Sequence, residues 1–116
     1  MSFRFEQLTV WRDARIFAGH IYAVTKKFPR SELFGITNQL RRAVISIALN
    51  ISEGSTRRSD IEFKRFLRVA LGSLNEVVTA LYIARDEEYL TEGDFEQLYA
   101  ESNKVASKIH ALIKSL

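Results

Sequence analysis

Two arginine pairs, Arg41-Arg42 and Arg57-Arg58, bracket a helix-length stretch whose middle, Ala43 to Ile51, is apolar on almost every side. Lys64, Arg65 and Arg68 follow closely, with Lys64 and Arg68 four residues apart and therefore on one side of a helix. Guanidinium and ammonium groups repeated this way suit the phosphates of a nucleic-acid backbone, where each contact releases counterions. Arg41, Arg42, Arg57, Arg58, Lys64, Arg65 and Arg68 are thus the candidate phosphate contacts. Lys26, Lys27 and Arg30 form a further cluster upstream. Phe63 and Phe66, the aromatics among these cations, read as core, which argues against base-stacking recognition of a single strand. The plain alternative is a set of solvated or internally paired arginines.

Catalytic chemistry finds little support. His20 and His110 stand alone, neither with a glutamate three residues before it nor in a HExxH pattern, so no metal site is expected. The glycine in "ALGSLNE" falls inside a helical pattern and reads as a place of close helix approach, not as a phosphate loop. Glu53 and Glu76 could meet across two helices, with Asn50 and Arg42 as ordinary partners. No catalytic residues and no cofactor are assigned, and the expectation is a protein that is not an enzyme.

The 116 residues leave room for one domain, spanning 1–116. With no cysteine, disulfides and thiolate sites are excluded and a reducing compartment is the default. The N-terminus has no apolar run of signal-peptide type, and Ala43–Ile51, read as the longest apolar-rich stretch, falls well below the roughly 20 residues a membrane span needs. A cytoplasmic protein without membrane contact is expected. The net charge of +3 is unevenly spread: residues 1–25 carry +1, residues 26–68 carry +6 and residues 69–116 carry −4. Such polarity suits an anionic partner, an acidic protein or a second copy of the chain, unless the two regions neutralise each other within one domain.

The elements that must position these cations are helical, because β-type alternation is sustained nowhere. A first helix is predicted from about Glu6 to Phe28, stopped by Pro29. A second has Thr37 as N-cap and Gly54 as C-terminal cap, with one apolar row (Ile36, Leu40, Val44, Ile47, Ile51) and a second row, Ile45 and Leu49, that needs further cover. A polar row, Asn38, Arg42, Ser46, Asn50 and Glu53, runs beside them. A third helix starts at a Ser59/Glu62 capping box and runs to about Glu88. A fourth starts at Thr91, with Asp94 in the matching position, and continues to the end. Short connections make neighbours antiparallel, so the predicted fold class is all-α, an antiparallel up-down-up-down four-helix bundle about 30–45 Å long.

The stretch "LTVWRDARIFAGHIYAVTKKFPRSELFGITNQLRRAVISIALNISEG", followed by "EFKRFLRVALGSLNEV", resembles the family of 23S rRNA-intervening-sequence proteins. Leu8-Thr-Val-Trp11, Phe28-Pro29, Phe34-Gly35-Ile-Thr37, Gln39-Leu-Arg-Arg42, Asn50-Ile-Ser-Glu53-Gly54, Arg65-Phe-Leu and Ala70-Leu-Gly-Ser-Leu74 carry the resemblance from Leu8 to about Leu90. It implies a four-helix monomer assembled into a homopentamer with a central channel. It also implies similarity to the accessory variability protein of diversity-generating retroelements, a basic pentamer that binds nucleic acid and a reverse transcriptase. The oligomer would cover the second apolar row, and the arginines would line a basic surface of the ring. No catalytic residues come with the family, and for most members no biochemical role is established. Many members have a proline after the Ser-Ile of the second helix; Ala48 stands there instead, which implies a straighter helix.

The expectation is therefore a non-enzymatic homo-oligomer that binds nucleic acid, RNA before DNA, through a basic surface. The alternative is a protein-interaction scaffold, with a protein partner or with itself, whose charge asymmetry serves self-assembly.

Overall fold

The computed structural model describes residues 2–116. It contains four α-helices: α1 (Thr9–Thr25), α2 (Ile36–Ser55), α3 (Asp60–Asp86) and α4 (Glu92–Ser115). Short 3-10 turns lie at Arg4–Gln7 and Arg30–Glu32. The molecule measures 44 × 22 × 22 Å.

Each helix packs on the next, and α4 closes the ring against α1. The touching residues fall in number on one helix as they rise on its neighbour. Arg4 meets Ser55 while Arg41 meets Thr25; Gly54 faces Phe66 while Ser46 meets Ser73; Arg85 meets Glu92 while Tyr82 meets Tyr99; and Asp13 meets Lys108 while His20 meets Glu101. Neighbouring helices therefore run antiparallel. The 3-4 spaced apolar rows converge on a core that fully buries Phe17, Ile21, Leu40, Ile47, Phe63, Leu81, Val105 and Ile109. α2 and α3 make the most extensive seam, because small residues line it: Ala43, Ser46 and Gly54 on one side, Ala70, Ser73 and Ala80 on the other. A Cβ added at Gly54 would stand 2.7 Å from Phe66 Cβ, so glycine is needed there for close approach.

That role differs from the one expected for Gly54, which lies inside α2 and has no positive φ. Among the described residues the left-handed backbone is at Glu88, at φ 62° after α3. There the Tyr89 N–H bonds the Ala84 carbonyl at 2.9 Å and the Glu88 N–H bonds that of Arg85 at 3.0 Å, a Schellman closure without its usual glycine. Gly72, the glycine expected to allow close approach, has open space around it.

Other boundaries shift for local reasons. The first helix splits at Leu8, whose backbone is extended, and ends at Thr25 rather than at Phe28. Residues 26–28 tighten into turns, with Lys27 N–H on the Val24 carbonyl and Phe28 N–H on that of Thr25, which draws Phe28 into the core. α2 begins at Ile36 with Gly35 as its N-cap, and the Glu32 carboxylate accepts the Ile36 N–H at 3.4 Å. Thr37 is therefore two residues too far along to cap, and it faces inward instead. Ser59 and Thr91 do cap, accepting from the Glu62 and Asp94 N–H groups at 3.2 and 3.0 Å. α2 runs unbroken through Ala48. By length and composition α3, not Ala43–Ile51, is the apolar stretch that could cross a membrane; its apolar row is spent on the bundle core.

Candidate nucleic-acid interface

The antiparallel register brings together cations that are distant in sequence. The end of the rod holding the α2–α3 turn also holds the start of α1 and the end of α4. Arg57 lies over the Phe66 ring, 4.6 Å from its centroid, and its Nη2 donates to Glu53 at 2.9 Å. Its Nε is buried without a partner. Arg65 approaches the same ring at 5.0 Å. Arg58, Arg65 and Arg68 are exposed and Lys64 is half-buried; among the described residues none of the four is in an ion pair. Five of the seven sequence candidates thus share one end of the molecule.

Arg41 and Arg42 do not join them. Arg41 lies near the opposite end, half-buried, 4.8 Å from the Tyr22 ring centroid, with its Nε donating to Thr25 Oγ1 at 2.9 Å. Arg42 is exposed on α2, in a groove shared with Gln39, Ser46 and Glu76. The seven cations therefore form one end cluster and two separate positions.

Sequence reading missed Arg4. From the 3-10 turn it reaches back to the last turn of α2, where its Nη1 donates to the Ser55 carbonyl at 3.1 Å and its guanidinium lies 5.2 Å from the Phe63 ring centroid. A cation at a helix C-terminus satisfies a free carbonyl and meets the negative end of the dipole. Lys104 and Lys114 of α4 were also missed, because they sit in a region whose sum is negative. The rod divides between residues 15 and 16, 46 and 47, 73 and 74, and 103 and 104. The half with the α2–α3 turn then holds eleven cations and five acids, net +6, and the other half six cations and nine acids, net −3.

The remaining polar groups are structural. Glu53 and Glu76 lie near opposite ends of the α2–α3 seam and do not meet; Asn50 donates to Ser46, not to a glutamate. His20 is not alone: its Nδ1 lies 2.9 Å from both Glu101 oxygens, in a cavity of about 520 Å³ between α1 and α4 that Asp94 and Lys104 also line. Lys108 pairs with Asp13 further along that seam. Among the described residues no three histidines or carboxylates are grouped as metal ligands.

α2 also carries an unpartnered apolar face. Ile45 is 36% and Leu49 59% exposed, and Val69, from the facing part of α3, is half-exposed as well. Among the described residues the bundle leaves the second row only partly covered.

A family model for 23S rRNA-intervening sequence proteins matches residues 6–111. The chain belongs to that family. A crystal structure from Bacteroides thetaiotaomicron, of a protein of unknown function from the S23 ribosomal protein family, superimposes with a TM-score of 0.83 at 26% identity, over 90% of this chain and 98% of that one. Among curated proteins none is significantly similar to the chain. The family assignment accounts for the four-helix fold and brings with it no established biochemical activity.

Proposed function

We propose that this member of the family is a non-enzymatic, cytoplasmic homo-oligomer that binds nucleic acid, RNA before DNA, through the basic end of the bundle. The observation that carries the reading is the cluster of Arg58, Lys64, Arg65 and Arg68, which have no ion-pair partner among the described residues, beside the Arg57–Phe66 stack. Solvated guanidinium groups on a rigid helix keep their donors free for phosphate oxygens. Arg57 holds the surface in place more than it contacts a ligand, since Glu53 and Phe66 already engage it. A second copy of the chain is the proposed cover for Ile45, Leu49 and Val69, with a pentamer as the assembly the family resemblance implies.

The opposed charges of the two rod halves favour a second reading, a scaffold in which the basic end of one subunit meets the acidic end of the next. Salt separates the two. Nuclease-treated protein is titrated with a structured RNA and a DNA duplex across a salt series, with native mass recorded in the same buffers. Affinity that falls steeply with salt while the mass holds supports nucleic-acid binding. An oligomer that binds neither at low salt overturns it, and one that dissociates with salt points to the scaffold.

A further inference from the structure

A cavity lined by cations lies at the other end of the rod. It measures about 390 Å³ and lies where the end of α1, the Arg30–Glu32 turn and the start of α2 meet. Lys26, Arg30 and Arg41 line it, with Thr25, Phe28, Pro29, Leu33 and Thr37. No acidic residue lines it, and among the described residues none of the three cations is in an ion pair.

Two features distinguish it from a chance gathering of surface charge. Thr37 is only 3% exposed, and its hydroxyl is buried with no hydrogen-bond partner. A buried hydroxyl left unpaired costs roughly 1–3 kcal/mol, so its persistence in a cavity wall asks for an acceptor that enters from outside. Arg41 is also fixed in advance. The Thr25 hydroxyl donates to the Ile21 carbonyl at 2.8 Å and accepts from Arg41 Nε at 2.9 Å, while Tyr22 lies against the guanidinium. That leaves both terminal nitrogens of Arg41 for a ligand. The carboxylate of the adjoining turn, Glu32, is engaged elsewhere: one oxygen takes the Ile36 N–H and the other the Tyr89 hydroxyl.

We infer that this cavity binds a phosphate group, with Arg41, Lys26 and Arg30 facing its charge and the Thr37 hydroxyl donating to one oxygen. A fixed guanidinium with two free donors matches a tetrahedral oxyanion, and two flexible cations at the rim neutralise the rest. The volume beyond the phosphate, against Phe28, Pro29 and Leu33, accommodates the group that carries it. The phosphate comes from a small molecule or from the end of a nucleic-acid strand. The inference does not rest on the proposed binding along the basic end, which uses other residues.

The test is an NMR titration of the full chain at constant ionic strength in chloride, with three ligands: inorganic phosphate, a nucleoside 5′-monophosphate, and a short oligonucleotide with and without a 5′-phosphate. Saturable shifts are expected at the Thr37 and Asn38 amides and the Arg41 Nε–H. Lys26→Ala/Arg30→Ala, at exposed positions, should weaken binding at least about tenfold, and Thr37→Val several-fold with the fold retained. A stronger response to the mononucleotide assigns a small-molecule source; one confined to the 5′-phosphorylated strand assigns a strand end. The inference is overturned if no arm shifts these signals saturably, or if the folded variants bind as the parent does. Arg58→Ala/Arg68→Ala, at the far end, should leave this titration unchanged.

Discussion

The two ends of the rod are built from the same four helices yet hold their charge differently. Arginines lie on aromatic rings at both ends: Arg4 on Phe63 and Arg57 and Arg65 on Phe66 at the end with the α2–α3 turn, Arg41 on Tyr22 and Arg85 on Tyr82 and Phe95 at the other. Phe63 is buried under Arg4 and Phe66 is half-buried beside Gly54, while Arg58, Arg65 and Arg68 stay exposed. At the other end most charges separate by side, with Glu32 and Arg85 the exceptions. Lys26, Lys27, Arg30, Arg41 and Arg42 belong to the α1–α2 side, and Asp86, Glu87, Glu88, Glu92, Asp94 and Glu96 to the α3–α4 side. The first arrangement offers a broad cationic surface. The second offers a cavity lined by cations without a carboxylate, on an end whose sum is negative. Charge surplus and site definition are therefore separate properties, and a regional sum detects only the first.

The largest expected effect tests the basic end directly. Replacing Arg58, Arg65 and Arg68 by alanine should remove most low-salt affinity for nucleic acid and lower the slope of log K against log salt by about 0.9 for each duplex phosphate no longer neutralised. Replacing Glu87 and Glu88 by glutamine should leave that slope unchanged. Equal slopes for both variants would erase the functional difference between the ends.

Packing comes next. Phe63→Ala removes a fully buried ring and the platform under Arg4, so thermal or urea unfolding should show a loss of about 3–5 kcal/mol. Gly54→Ala forces α2 from Phe66 and should cost about 1–3 kcal/mol, whereas Gly72→Ala, in open space, should gain roughly 0.5–1 kcal/mol. At the opposite end the sign reverses: Glu88→Gly relieves a left-handed backbone and should stabilise by about 1–2 kcal/mol. A destabilised Glu88→Gly would mean that its side chain supports the α3–α4 turn.

The smallest effect concerns pH. The hydrogen bond to Glu32, then burial and the charges of Glu32 and Glu87, hold the Tyr89 hydroxyl above the usual tyrosine range. The raised value in the folded state means that this contribution is fully present below the ordinary tyrosine pKa and is lost as pH rises through the folded one. Stability should therefore decline in alkali, and Tyr89→Phe should flatten that decline in pH-dependent unfolding.

Most of the helical content was legible from apolar spacing, because an amphipathic row writes its period into the chain. The caps at Ser59 and Thr91 were legible because their hydrogen bonds span three residues. The turns were less so. Thr37 and Gly54 have the right residue types for caps, but Glu32, in the turn just upstream, and Phe66, across a seam, assign them other work. Among the site residues, pairing in sequence concealed that Arg41 and Arg42 point to different neighbours, since adjacent helical positions are about 100° apart. Arg4 carried no signal, because its partner lies 51 residues away.

The sequence by itself determined the helices, their order and the uneven charge, since these follow from local periodicity and composition. It also determined that α2 has more apolar surface than one core face needs. Only the tertiary structure decided which cations share an end, which are held by aromatic rings and carbonyls, and where a buried hydroxyl is left without a partner. Those outcomes depend on antiparallel register, which places residues far apart in sequence within a few ångströms, and no local pattern encodes that distance.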